Sequence, residues 1–586
     1  MKRWLEYVKP YWIYFVLGPL GMIVEVVGEV VLPKFLSAII DNGVGTKESV
    51  GNGSQYIIFI TIAMIVTAVL MLLGGVCGAY FGAKASVNFA ADLRSDVYRK
   101  IQKFSFSNID KFSTGSLVTR LTNDVTQLQN FVNMLLRMCL RSPGMLIGAL
   151  VMAITLNAKL AIILAIAMPI IITVQFLIIR KGFPRFNRMQ SKIDGLNSTI
   201  QENLVNVRVV KSFVREDFEK DKFRESNGNL KKAGISAMNL MIFMQPVMML
   251  LMYATTLVVL WFGGNQVIDF IQNGTGMTVG DLTQFLTYIN QILMSLMMIT
   301  MLFMMWSRAM ASGKRIAEVL DEKPDIDDET AAFSEKSVNS GDIEFKNVSF
   351  RYYKTSEEKV LNNINIKINS GETVGIIGST GCGKTTLVSM IPRLYDVDEG
   401  SVLVDGVDVK DYSIEKLRDG VSMVLQKNVL FSGTIEDNLK WGNQNASIEE
   451  IKKCADCAQA DGFIESFTEG YQTELGQGGV NVSGGQKQRI CIARAMLKQP
   501  KIIIFDDSTS AVDTATEAKI RKSFKNELKD TTKIIIAQRI SSVEEADKII
   551  VMDNGVITGI GTHDELLKSN EEYREIYNSQ TAKEAN

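Results

Sequence analysis

Six times in its first 310 residues this chain carries an apolar run of about 20 residues, long enough to cross a bilayer as a helix. Inside hydrocarbon every backbone N–H and C=O must be satisfied within the protein, so only helices and closed barrels span it. Continuous runs of this length select helices. They fall near residues 11–40, 56–83, 138–157, 160–179, 233–268 and 282–306. The first and fifth exceed the hydrocarbon thickness and predict helices that tilt or project beyond it. Lys2, Arg3 and Lys9 precede the first run, Lys84, Arg94, Arg99, Lys100 and Lys103 follow the second, and Arg180, Lys181, Arg185 and Arg188 follow the fourth. The opposite side offers only Lys47 and Lys159. By the positive-inside rule both termini are expected in the cytoplasm, with two long intracellular loops. The first apolar segment is too long for a cleavable signal and lacks a small-residue cleavage site.

The remaining residues read as an ordinary soluble domain. Over the whole chain 63 Lys and Arg balance 64 Asp and Glu, so bulk charge does not suggest nucleic acid. Six scattered cysteines argue for a reducing compartment rather than a disulfide framework. Cys454 and Cys457 form a lone C-x-x-C, and with His563 the only histidine the chain lacks a zinc ligand set.

Two short stretches carry the chemistry. Gly378-Ser379-Thr380-Gly381-Cys382-Gly383-Lys384-Thr385 fits the phosphate-cradling loop G-x-x-x-x-G-K-[ST]. Its turn exposes backbone N–H groups, Lys384 reaches the β- and γ-phosphates, and Thr385 offers a hydroxyl to Mg²⁺. The apolar strand at 373–377 ends at this loop, and a helix opens from Thr386, the context the motif requires. Cys382 is expected to meet phosphate through its backbone rather than its thiol. About a hundred residues on, Ser483-Gly484-Gly485-Gln486 precedes a helical run to Leu497, whose N-terminus is an anion site.

In this combination the chain resembles the ABC (ATP-binding cassette) transporters: residues 341–580 their nucleotide-binding domain, 1–310 an exporter-type membrane domain, and 311–340 a linker. The resemblance implies an all-α six-helix transmembrane domain followed by an α/β phosphate-loop domain with a helical subdomain. It assigns Tyr352 to stack on adenine, Gln426 to contact Mg²⁺, Asp506 as the Mg²⁺-side carboxylate, and Ser510-Ala511-Val512-Asp513 as the loop crossing to the opposing site. ATP and Mg²⁺ are the implied ligands. The segments at 108–125 and 201–213 resemble the family's two intracellular loops, whose short transverse helices dock on nucleotide-binding domains.

The family pattern breaks at two positions. Asp507 stands where a glutamate is usual, and Gln538 where a histidine is usual. These positions carry hydrolysis: a carboxylate orients the attacking water and a histidine supports the γ-phosphate. Asp507 is one methylene shorter, a retreat of roughly 1.5 Å, and Gln538 donates a hydrogen bond but never carries a full positive charge. Damage confined to catalytic elements resembles the degenerate-site subunit of heterodimeric bacterial multidrug exporters, acting at the cell membrane with a second, different half-transporter. A homodimeric exporter, a dedicated peptide or lipid exporter and a low-turnover regulatory subunit are the alternatives. His563, in a C-terminal loop the family also carries, reads as structural.

Within the membrane half, Glu25 and Glu29 lie four apart on one helix face. Two readings stand: attraction of a cationic substrate, or a structural role, through pairing with Arg137 or Arg141 or through an interfacial location. Methionines cluster at Met238, Met241, Met244, Met248, Met249 and Met252, and again at Met294, Met297, Met298, Met301, Met304 and Met305. Such unbranched, polarizable side chains suit a cavity that repacks around different ligands. The transported compound itself leaves no motif in the sequence.

Overall fold

The structure, a computed structural model, describes residues 2–44, 53–328, 331–353, 357–508 and 512–584. Lys47, Ser510, Ala511 and the side chain of Met304 lie outside the described part. Two compact units emerge. One comprises Met1–Ile101 and Gly115–Asp321, the other Gln102–Thr114 and Glu322–Asn586.

The first unit is helical. Among the described residues six helices are long and apolar enough to cross a membrane: Arg3–Val44, Gly53–Gln102, Thr114–Leu156, Ala158–Val205, Glu216–Asn273 and Val279–Asp321. Each extends past its apolar run into polar segments. The first two spans approach closely because Gly21 and Gly74 face one another. A Cβ on Gly21 would lie 2.6 Å from the Gly74 carbonyl oxygen, and one on Gly74 would lie 2.7 Å from that of Gly21. Small residues at such crossings let backbones meet where lipid supplies no hydrophobic drive. The third span breaks at Cys139–Leu140, between the segments Val125–Met138 and Arg141–Leu156. Pro143 accounts for this: it has no N–H for the carbonyl four residues back, and its ring crowds that carbonyl.

The fifth-span methionines divide. Met248 is buried in the helical core, with Met244 and Met252 packed against it, whereas Met238, Met241 and Met249 are exposed, as are Met294, Met297 and Met301 on the sixth span. The turn between the fourth and fifth spans holds the short helix Val207–Ser212, where Val209, Phe213 and Val214 are exposed.

The second unit is α/β. Its strands are β1 (Ile343–Phe350), β2 (Leu361–Ile368), β3 (Thr373–Gly378), β4 (Glu399–Val404), β5 (Val407–Asp408), β6 (Val421–Val424), β7 (Gly433–Thr434), β8 (Glu474–Leu475), β9 (Ile502–Asp506), β10 (Thr532–Ile536), β11 (Lys548–Asp553) and β12 (Val556–Gly561). A four-stranded antiparallel sheet runs in the order β2-β1-β4-β5, and a six-stranded sheet in the order β12-β11-β3-β10-β9-β6. All neighbours in the larger sheet are parallel except β11 and β12. β9 is buried along its whole length, as a parallel strand covered on both faces should be. One core lies between the two sheets, and a second gathers the helical subdomain around Ile435, Ile451, Ile464 and Ile490.

Candidate functional site

Four loops leave the carboxyl ends of β3, β10, β9 and β6, which lie side by side in that order. Ligands of open parallel sheets bind at this edge. β3 delivers the loop Gly378 to Thr385, β9 delivers Asp506 and Asp507, β10 delivers Gln538, and β6 delivers Gln426. Residues spread over 160 positions of sequence, from Gly378 to Gln538, therefore converge because strand order, not chain order, sets their neighbours.

The phosphate loop depends on two glycines in particular. Gly378 (φ 154°) would place a Cβ 2.0 Å from the Met552 carbonyl oxygen, and Gly383 (φ 98°) would place one 2.9 Å from that of Val360. Ser379, Thr380 and Gly381 are exposed or half-exposed at its tip, while Cys382 is only 4% exposed, its thiol folded under the loop. Lys384 Nζ donates to the carbonyl oxygens of Gly378 and Ser379 at 2.8 and 2.7 Å. The helix Lys384–Ser389 follows, as the motif demands. Thr385 Oγ1 donates to Asp506 Oδ1 at 2.9 Å. Tyr352 stands beside this loop, its hydroxyl 2.9 Å from Thr386 Oγ1 and its ring half-exposed.

At the second strand end Asp507 and Gln538 meet. Gln538 Nε2 donates to Asp507 Oδ2 at 2.7 Å. The Gln426 side chain also hydrogen-bonds Asp507. Burial pushes the Asp507 carboxyl up from the ordinary aspartate value, opposed by those two amides and by the charges of Lys384 and Arg539. Asp506 is raised as well, first by burial, against the Thr385 hydrogen bond. Asp507 also adopts a left-handed backbone (φ 49°), a conformation asparagine and aspartate tolerate better than most.

Ser483 and Gln486 form a reciprocal cap. Ser483 N donates to Gln486 Oε1 at 2.8 Å, and Gln486 N donates to Ser483 Oγ at 3.3 Å. They open the helix Gly484–Leu497, whose first turn is Gly484-Gly485. Asp513 caps the helix Thr514–Glu527 by accepting from Thr516 N at 3.0 Å. His563 lies apart from these loops, its Nδ1 2.7 Å from the Tyr573 hydroxyl and its ring against Tyr577.

Sequence reasoning missed three residues that shape the site. Gln580, on the helix Glu571–Glu584, grips the Gln538 segment at two points: its Nε2 donates to Gln538 O at 2.8 Å and its Oε1 accepts from Ile540 N at 2.9 Å. Gln488 Nε2 donates to Asp507 O at 3.4 Å. Tyr395 packs edge-on against Tyr352, ring centroids 5.2 Å apart. No local signal marks Gln580, a glutamine in a polar helix. Gln488, two positions beyond Gln486, lies on another face of the same helix, so its spacing gave no signal either.

Among the described residues no group of three or more His, Cys, Asp or Glu side chains is placed to hold a metal ion. The oxygen donors Thr385, Asp506 and Gln426 suit Mg²⁺, which keeps few protein ligands and completes its shell with water and substrate phosphate.

Six membrane-length helices and a phosphate-binding α/β domain in one chain define half of a membrane transporter driven by nucleotide hydrolysis. The comparisons agree. Residues 12–296 match the ABC transporter transmembrane region and residues 361–510 the ABC transporter domain. The chain is 38% identical over 585 residues to the ABC transporter ATP-binding protein YfiB of Bacillus subtilis, covering 100% of this chain and 99% of that protein. It is 35% identical over 590 residues to a B. subtilis protein provisionally named a multidrug export ATP-binding/permease protein, covering 99% of each. It is 34% identical over 490 residues to an ATP-dependent lipid A-core flippase of Desulfotalea psychrophila, covering 83% and 84%. A bacterial Atm1-family ABC exporter with ATP bound superposes with a TM-score of 0.75 at 25% identity, over 98% of each chain. The chain belongs to the ABC transporter family, as an ATPase of the exporter type with its membrane and ATP-binding domains fused.

Proposed function

We propose that this chain is one half of a heterodimeric exporter that moves amphipathic or hydrophobic compounds outward across the cell membrane, with both termini and the ATP-binding domain in the cytoplasm. The observation that carries this reading is the 2.7 Å contact of Gln538 with Asp507. A general base must reach the attacking water, and misplacement by about 1 Å costs roughly a hundredfold in rate. Here the carboxylate is short and two side-chain amides occupy it, while the phosphate loop, Asp506 and the Ser483–Gln486 cap keep the residues that bind.

In the family arrangement ATP lies between the phosphate loop of one domain and the signature segment of the other. This chain's loop, with Tyr352 at the adenine and Lys384 on the phosphates, retains ATP at a slow site. Its Ser483, Gly484, Gly485 and Gln486 complete a fast site on the partner, and Asp513 follows the crossing loop. Thr385, Asp506 and Gln426 would hold Mg²⁺, which would supply positive charge against the phosphates. Closure of the two ATP-binding domains passes through the intracellular loops to the helices, and hydrolysis at the partner's site resets them. The exposed Val209, Phe213 and Val214 offer an apolar surface for a partner's ATP-binding domain to cover. Exposed methionines on the sixth span, with those of the fifth, suit a cavity of broad specificity.

The test is ATPase activity of the purified chain alone against the chain assembled with its partner. The reading expects tight ATP binding with slow turnover alone, and fast turnover only in the assembly. Brisk hydrolysis and transport by the self-associated chain would replace it with a homodimeric exporter.

A further inference from the structure

Glu25 and Glu29 of the first span are paired, and the partner is Arg141 of the third span rather than Arg137. Arg141 Nη2 lies 3.1 Å from Glu25 Oε1 and 2.7 Å from Glu29 Oε1. The third span breaks just ahead of this arginine, which then begins the segment Arg141–Leu156. Gln291 of the sixth span joins the group by donating from Nε2 to the Glu29 carbonyl oxygen at 2.8 Å. Glu25 lies against the second span, where a Cβ on Gly75 would stand 3.2 Å from Glu25 Oε2. Four spans therefore meet at one polar cluster among apolar helices.

The pairing leaves the cluster incomplete. Two carboxylates face one guanidinium, so the group carries one net negative charge at membrane depth, where unpaired charge is costly. Among the described residues two acceptors, Glu29 Oε2 and Gln291 Oε1, are buried without a hydrogen-bond partner, as is the donor Arg141 Nε. The carboxylate side chains remain partly open, 17% and 20% exposed for Glu25 and Glu29. What the cluster lacks is one positive charge that also donates hydrogen bonds.

We propose that Glu25, Glu29 and Gln291 form a binding site for an N–H-bearing organic cation, an alkylammonium or amidinium, within the helical unit. Arg141 holds the two carboxylates in place, and the added cation neutralises the remaining charge while donating to Glu29 Oε2 and Gln291 Oε1. The inference rests on the reading of the helical unit as the cargo-carrying part and narrows its cargo to cationic amphiphiles.

The test is equilibrium binding, by titration calorimetry, to the full-length chain in lipid nanodiscs, with empty nanodiscs subtracted. Three probes share one tail: dodecylammonium, dodecyltrimethylammonium and dodecanol. Dodecylammonium is expected to bind at least about tenfold more tightly than dodecanol, with dodecyltrimethylammonium between them because it carries charge without a donor. Glu29→Gln should bring ammonium and alcohol to parity, and Gln291→Leu should weaken the ammonium alone. ATP affinity measured on the same samples certifies the fold; if Glu29→Gln loses it, Gln291→Leu decides. Equal binding of ammonium and alcohol to the native chain would overturn the proposal. So would ammonium binding that survives both substitutions, or its loss in NaCl but not in choline chloride of equal ionic strength, which would assign the site to sodium. Because the readout is binding without transport, a homodimeric or non-transporting protein that still binds the ammonium would count against the proposed function and not against this site.

Discussion

The Tyr395 hydroxyl donates to Asp110 Oδ2 at 3.1 Å, joining the ATP-binding fold to the short helix Phe106–Phe112 that follows the second span. That helix is firmly held within the second unit. Ser105 and Asn108 cap it, Asn108 Nδ2 also donates to Lys323 O at 3.1 Å, and Lys111 pairs with Glu322 at 2.7 Å. The Tyr395 ring touches Phe106 on one side and Tyr352 on the other. A continuous path of contacts thus runs from the loop helix through Tyr395 and Tyr352 to Thr386 of the phosphate-loop helix.

Tyr395→Phe should keep the ring packing and lose only the bond to a charged group, worth about 1.5–3 kcal/mol at most and less at the exposed Asp110. ATP affinity is expected to change little. Amide exchange of the backbone over residues 106–112 should quicken several-fold, as read by mass spectrometry.

Replacing Asp507 by Glu and Gln538 by His together should raise ATP turnover of the assembled protein by at least about tenfold, since correct placement of the base alone is worth on the order of a hundredfold. Phosphate release at saturating ATP measures it. No rise would mean that hydrolysis at this site is not limited by these two side chains.

Gln580→Leu removes both hydrogen bonds to the Gln538 segment, a loss of about 1 kcal/mol each. The melting temperature should fall slightly. The larger effect is expected on turnover, with ATP affinity unchanged, because the clamp sets where Gln538 stands against Asp507. An equal fall in affinity would indicate a general loosening of the domain instead.

Burial raises the Asp506 and Asp507 carboxyls in the folded protein. The native state then binds these protons more tightly than the unfolded chain does. Their contribution to stability is greatest below the ordinary aspartate value of about 4 and is lost as pH rises through the raised folded values. Asp507→Asn should flatten this dependence, seen as a smaller drop in melting temperature of the nucleotide-free protein between about pH 4 and pH 7.

Gly74→Ala would put a methyl group 2.7 Å from the Gly21 carbonyl oxygen. Backbone cannot yield as a side chain can, so the first two spans must separate, at about 1–3 kcal/mol. Reduced yield of folded protein and earlier melting in detergent are the expected signs, with ATP affinity of the surviving fraction unchanged.

Several features were legible in the residues alone. The six apolar runs became six membrane-length helices, because hydropathy over 20 residues is a local property. The phosphate loop fell between β3 and its helix, and Ser483 capped the helix that its spacing to Gln486 announces. Other features were not. Nothing near Glu25 distinguishes Arg141 from Arg137, since both follow on the next-but-one span and only helix rotation chooses between them. The methionine clusters read as one surface, yet Met248 is core while Met249, next on the same helix, is exposed, because consecutive residues of a helix face different neighbours.

The sequence by itself determined which segments are long and apolar enough to cross a membrane and which loop carries the phosphate-binding motif. Periodicity, chain spacing and residue chemistry are enough for that. The tertiary structure decided that Gln538 and Gln426 both bind Asp507, that Gln580 holds Gln538 in place, and that one arginine serves two membrane carboxylates. Those contacts join residues up to 116 positions apart, as Glu25 and Arg141 are, and depend on strand order and helix rotation, which the packing of the whole chain sets.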